Sequence, residues 1–165
     1  MSTQNLEDKE ALKRMTSLVE SIQTGMLVTC LDARPLNVVP MTTKEVDEEG
    51  TIWFLSRLDS SQNCNIVQEP EVQLLYSAPA KKEFISIYGL AAVSLDPKKL
   101  KELNHKSDDA WFTGLDDPNL TAIKVTPKES YYWDEKQNNY RDLFNGATDL
   151  KNKSISTGEK GRLSL

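Results

Sequence analysis

Apolar residues recur every three or four positions near the start of the chain. Leu12, Met15, Val19 and Ile22 stand among charged neighbours, which predicts an amphipathic helix over 5–24 that stops at Gly25. Beyond it the period shortens. MLVTCL (26–31), LNVVPMTT (36–43), TIWFLS (51–56), EVQLLYS (71–77) and EFISIYGLAAVSL (83–95) read as strands. LTAIKVT (120–126) and ESYYWD (129–134) read as the last two, broken by Pro127. SSQNCNIVQE (60–69) predicts a short helix closed by Pro70, and DPKKLKELNH (96–105) a second with an Asp cap and a first-turn proline. Two strand residues stand out. Pro40 lacks a donor and marks an edge, a bulge or a ligand-facing point, and Gly89 suggests a bulge or a close backbone approach.

About six strands at close spacing with helices between them fit a small antiparallel barrel or an open α+β sheet. The domain is expected over 1–135. Residues 136–165 are expected to form a polar extension with a short helix near 139–145 and a mobile final fifteen residues. A chain of 165 residues is long enough for one real core, and no apolar run approaches the roughly 20 residues of a membrane span. The polar start MSTQNLEDKE lacks a secretory pattern, so the expected compartment is cytoplasmic. A net charge of −5 with no basic stripe argues against nucleic acid as a partner.

The chemistry-bearing residues are few. Two cysteines and one histidine cannot build a zinc site of the usual kind. Cys30 reads as a buried strand thiol and Cys64 as a helix bystander. His105 follows a lysine-rich helix, and no GxSxG elbow accompanies it, so a serine hydrolase is not indicated. The segment GTIWFLSRLDSSQNCNI (50–66) is the informative one. A buried strand gives way at Ser56 to hydroxyl and amide side chains just where a helix begins. Either Asp59 or Ser60 there merely caps the helix, or Ser56, Ser60, Ser61 and Asn63, with the charge of Arg57, form an anion cradle, because first-turn N–H groups and the helix dipole favour negative charge.

Four fragments in register carry a resemblance: VPMTTKEVDEEGTIWFLS, DSSQNCNIVQEPEVQLLYS, FISIYGLAAV, and AWFTGLDDPNLTAIKVTPKESYYWD. Together, over roughly residues 10–135, they resemble the pyridoxamine 5'-phosphate oxidase-like family, and within it the general stress protein branch. The ending GEKGRLSL is similar to the short basic tails of that branch. The resemblance implies a mainly β fold with flanking helices, a six-stranded antiparallel split barrel. It also implies a homodimer with FMN in a groove between subunits. The backbone of Val39, Pro40, Met41 and Thr42 would run along the flavin ring. Leu55, Ser56, Arg57, Ser60, Ser61, Gln62 and Asn63 would hold the phosphate, and Trp133, with Trp111 as a further position, would come from the partner.

Two positions depart from the family pattern. Val39 stands where an arginine is usual and Gln62 where a lysine or arginine is usual, and each missing cation removes a charged hydrogen bond of about 1.5–3 kcal/mol. Two readings follow. One is an FMN-dependent oxidoreductase of undefined substrate, in which the cofactor carries the redox chemistry. The other is a non-catalytic dimer that holds flavin weakly or holds another small ligand. Pyridoxamine phosphate oxidation itself is not expected, because no basic substrate-phosphate motif is recognised beyond YYWD.

Overall fold

The computed structural model describes residues 2–3, 6–105, 117–134 and 159–164. Helix α1 (Asp8–Ile22) follows two short strands, β1 (Ser2–Thr3) and β2 (Leu6–Glu7). Its inner face is set by Ala11, Met15, Leu18 and Val19, all at most 1% exposed, with Leu12 and Ile22 at the margin. The helix stops before Gly25. Gln23 takes the left-handed conformation (φ 66°), and its N–H returns to the Val19 carbonyl at 2.8 Å. Gly25 instead lies in the next strand, where a Cβ would come within 2.8 Å of the Tyr76 ring.

The strands that follow are β3 (Thr24–Thr29), β4 (Asn37–Thr42), β5 (Glu45–Val46) and β6 (Ile52–Arg57). After α2 (Ser61–Gln68) come β7 (Glu71–Ala78), β8 (Glu83–Ser94) and α3 (Pro97–His105). β9 (Leu120–Asp134) and β10 (Glu159–Ser164) complete the described chain. The main ladder runs β4-β3-β7-β8-β9. Along its far edge β9 pairs twice, with β6 over 120–125 and with β10 over 129–134. β4 and β6 approach one another without a ladder between them, so the curled sheet stays open along that seam. This is the six-stranded split barrel implied by the sequence, built from β3, β4, β6, β7, β8 and β9.

Pro40 sits in β4, at the end of the strand order, where a missing donor is tolerated. Pro127 does not break β9. It lies opposite Gly89, at a register shift where Tyr88 pairs with Glu129 and Gly89 with Pro127, leaving Lys128 of β9 as the extra residue, and the two predicted last strands are one. A Cβ on Gly89 would meet the Thr126 carbonyl oxygen at 2.5 Å, so the close backbone approach expected there is present. Cys30 falls just past β3 in a turn, half-buried with φ 52°, and is not a buried strand thiol. Part of the expected mobile tail is strand: β10 places Leu163 in the core at 0% exposure and alternates it with outward Arg162. The helix expected near 139–145 lies outside the described residues.

The core fills the concave side of the sheet under α1, with Leu27, Phe54, Leu74, Tyr76, Ile87 and Tyr132 among its members. Arg14 of α1 pairs with buried Asp134 and lies 5.3 Å from the Tyr132 ring, which fastens the helix to the end of β9. A smaller cluster forms where Leu100 and Leu103 of α3 meet Trp53, Leu55 and Ala122 on the outside of β6 and β9. Asp47 shapes the turn into β6, accepting from the Thr51 N–H at 2.9 Å and from Trp53 Nε1 at 2.9 Å. Among the described residues, no helix is long and apolar enough to cross a membrane.

Candidate functional site

The polar hinge after β6 is a helix start of defined geometry. Ser60 is the N-cap of α2, with extended backbone and its side chain accepting from the Asn63 N–H at 3.3 Å. The N–H groups of Ser61 and Gln62 belong to the first turn, which has no carbonyl four residues back within the helix. Ser61 is exposed and Gln62 half-exposed at the same end. Arg57 closes β6 beside them, but its guanidinium is engaged: Nε donates to Asp59 at 3.1 Å. That bond raises the Arg57 pKa and lowers that of Asp59.

Ser56 and Asn63 face the other way. Both are buried, and both turn inward onto Thr121 at the start of β9. The Ser56 and Thr121 hydroxyls are 2.7 Å apart, and Asn63 Nδ2 donates to Thr121 Oγ1 at 2.9 Å. Asn63 Oδ1 is buried and has no hydrogen-bond partner among the described residues. Leu55 packs outward beneath α3. In β4 the residues split by face. Val39 and Met41 pack on the core, whereas Pro40 and Thr42 are exposed. Val39 therefore offers the cradle no cation, and an arginine there would start from an inward-facing position.

Trp133 is at the opposite end of β9, half-buried, its ring 4.7 Å from that of Tyr131. It stands between Phe84 of β8 and Lys160 of β10, its direct cross-strand neighbours. The adjacent row runs Pro40, Met26, Leu75, Ser86, Tyr131, Arg162 across six strands on the same outward face. Trp111 lies outside the described residues. Phe84, Lys160 and Arg162 were missed in the sequence. The signal was the period-two alternation of Lys160, Gly161, Arg162 and Leu163, hidden in a polar tail. These are basic residues beyond YYWD, although Arg162 is paired with Glu129 at 2.8 Å.

A depression of about 280 Å³ interrupts the outward face between Gln73, Ser86, Tyr88, Glu129 and Tyr131. Its polar atoms are largely committed, Gln73 Nε2 to Ser86 at 2.7 Å and the Tyr88 hydroxyl to Glu71 at 2.5 Å. A larger groove of about 660 Å³ lies elsewhere, between α1 and the Val46–Glu48 turn. It sets Lys13 among Glu20, Asp47 and Glu48 but brings no aromatic ring or helix start to bear, so size does not mark the site here.

The fold is a split barrel with a Ser60-capped, donor-rich helix start near one end of β9 and the Tyr131–Trp133 ring pair near the other. The chain belongs to the pyridoxamine 5'-phosphate oxidase-like family, whose sequence model matches residues 10–157. Among solved structures it is similar to general stress protein 26 of Bacillus anthracis, with a TM-score of 0.63 and 22% identity over 73% of this chain and 92% of that one. The general stress FMN/FAD binding protein of Xanthomonas citri gives a TM-score of 0.66 and 24% identity, over 88% of this chain and 100% of that one. A pyridoxamine 5'-phosphate oxidase-related, FMN binding protein of Nostoc punctiforme gives 0.56 and 11%, over 78% and 85%. At these identities the likeness establishes the fold. The curated proteins give no match.

The donor set at the α2 start matches the needs of a phosphate monoester. Two first-turn N–H groups, the hydroxyls of Ser60 and Ser61 and the nearby guanidinium of Arg57 are all donors, and an anion is what such a set accepts. The residues present fit the phosphate end of FMN, with fewer cations than the family pattern provides.

Proposed function

We propose that this protein binds FMN as a homodimer and serves as a flavin-dependent oxidoreductase. The observation that carries the reading is the start of α2. A Ser60-capped helix opens at the end of β6, its first-turn donors beside Arg57, in a fold whose relatives include an FMN/FAD binding protein. Ser60, Ser61 and the first-turn amides would bind the phosphate. The open edge of β4 at Pro40 and Thr42 would lie along the ring, and Trp133 with Phe84 would cover it. When bound, the flavin supplies the hydride chemistry. The protein's part is to orient the ring, exclude water and fix the phosphate.

The length of β9 supports two copies. Thr121, beside the cradle, and Trp133 are twelve residues apart on one strand, about 40 Å along the chain at 3.3 Å per residue. That contour length sets the two ends well apart on one chain, which favours a second copy bringing its Trp133 to the first copy's helix start. The outward row of Pro40, Met26, Leu75 and Tyr131 has Met26 and Leu75 at least 40% exposed. A second copy laid on this face would cover it and carry its own Trp133 toward the first copy's cradle.

The decisive experiment titrates cofactor-stripped protein with FMN and follows flavin fluorescence. Saturation in the micromolar range is expected, with a sedimentation mass of two chains. No saturation at high FMN would overturn the reading. The engaged Arg57 and the inward Val39 favour the second reading, a non-catalytic dimer with weak flavin. FMN-loaded protein that fails to oxidise NADH or NADPH with any electron acceptor offered would support it.

A further inference from the structure

We infer that Thr121 is the positioning residue of the phosphate cradle, fixing the first turn of α2 against β6 without touching the ligand. The inference rests on the FMN reading above. Thr121 is fully buried and lies directly opposite Ser56 in the β6–β9 ladder. Its hydroxyl donates to the Ser56 carbonyl at 3.1 Å, which uses its one proton. Its two lone pairs are then met by the Ser56 hydroxyl at 2.7 Å and by Asn63 Nδ2 at 2.9 Å. The group is filled to capacity, and the count fixes the direction of each bond.

Asn63 connects that hydroxyl to the cradle. It is the third residue of α2, and its N–H is the one Ser60 caps at 3.3 Å. Its side chain therefore sets how the first turn is rotated on the strand. Among the described residues the amide has a single anchor, because Oδ1 is buried without a partner there. Thr121 holds it alone. Removing the Thr121 oxygen would leave the cap in place but let the turn pivot, and the first-turn N–H groups would lose their common aim. A ligand bound through its phosphate would feel that loss, and one bound only through its ring would not.

The test compares FMN with riboflavin, which lacks the phosphate, on the full chain. Wild-type protein is expected to prefer FMN. Thr121→Val keeps the shape and removes the acceptor, and is expected to lower FMN affinity about tenfold, the scale of one charge-assisted hydrogen bond, with riboflavin changed less than about threefold. Thr121→Ser restores the hydroxyl and should restore the preference. If Thr121→Val does not fold, Asn63→Ala removes the same link without crowding and should lower the FMN-to-riboflavin ratio equally. A merely structural role would lower the melting temperature and leave that ratio intact, which would overturn the inference. Wild-type protein that binds neither ligand, or both alike, would overturn the phosphate-cradle reading first, and this inference with it.

Discussion

Gly89 and Pro127 stand opposite one another across the β8–β9 ladder, and the missing Cβ of the first makes room for the backbone beside the second. With a Cβ 2.5 Å from the Thr126 carbonyl oxygen, Gly89→Ala has to push two central strands apart. A loss of about 1–3 kcal/mol is expected, read as a lower urea midpoint with an unchanged slope. An unchanged midpoint would mean that the ladder relaxes freely at the bulge.

Asp59 would compete with a phosphate bound at the α2 start for Arg57. The two side chains are exposed and 3.1 Å apart. Asp59→Asn releases the guanidinium and should tighten FMN binding about two- to fivefold, a gain that fades as salt is raised. Arg57→Ala should move affinity the other way. Equal affinities in all three proteins would remove Arg57 from the site.

Tyr76 predicts an alkaline limit. Burial pushes its phenol pKa well above the usual value, against the opposing bond to Thr43 at 2.8 Å. In the unfolded chain the phenol ionises near 10, while the folded protein keeps it protonated. Above that pH the unfolded state binds fewer protons, so stability falls as pH rises, by up to about 1.4 kcal/mol per pH unit. Denaturant midpoints between pH 9 and 11 should show the fall. Tyr76→Phe should flatten its share of it.

Leu75 tests the outward face. It is 43% exposed at the centre of the row from Pro40 to Arg162. Leu75→Glu sets an unpaired charge where the second copy would sit. The dimer dissociation constant should rise by about two orders of magnitude or more, with FMN affinity falling alongside it. Sedimentation at several protein concentrations reads the first quantity, and a dimer that persists unchanged would place the interface elsewhere.

Local signals were the legible ones. Ser60 as cap, Asp96 and Pro97 at the start of α3, Pro40 at a sheet edge and Gly89 at a bulge each follow from chemistry within a few residues. Nonlocal compensation was not legible. Pro127 looked like a strand break, but β9 takes it in by leaving Lys128 unpaired, a bulge that the missing Cβ of Gly89 on β8 makes room for. Ser56 and Asn63 looked like ligand-facing groups, yet their direction is decided by Thr121, 58 positions after Asn63. Gln23 ended α1 in a conformation usually left to glycine, and β10 was masked by its charged residues.

β9 is flanked on both edges along most of its length, by β8 on one side and by β6 and then β10 on the other. Each of its paired amides sits in one of two ladders, and along most of the strand neither ladder lies at an open edge from which fraying could start. Its central amides should then trade hydrogen for deuterium only when the whole molecule opens, while those of the edge strand β4 exchange through smaller excursions. The Ser60-capped helix start and the Trp133 ring pair are thus tied to opposite ends of one strand that is expected to open last.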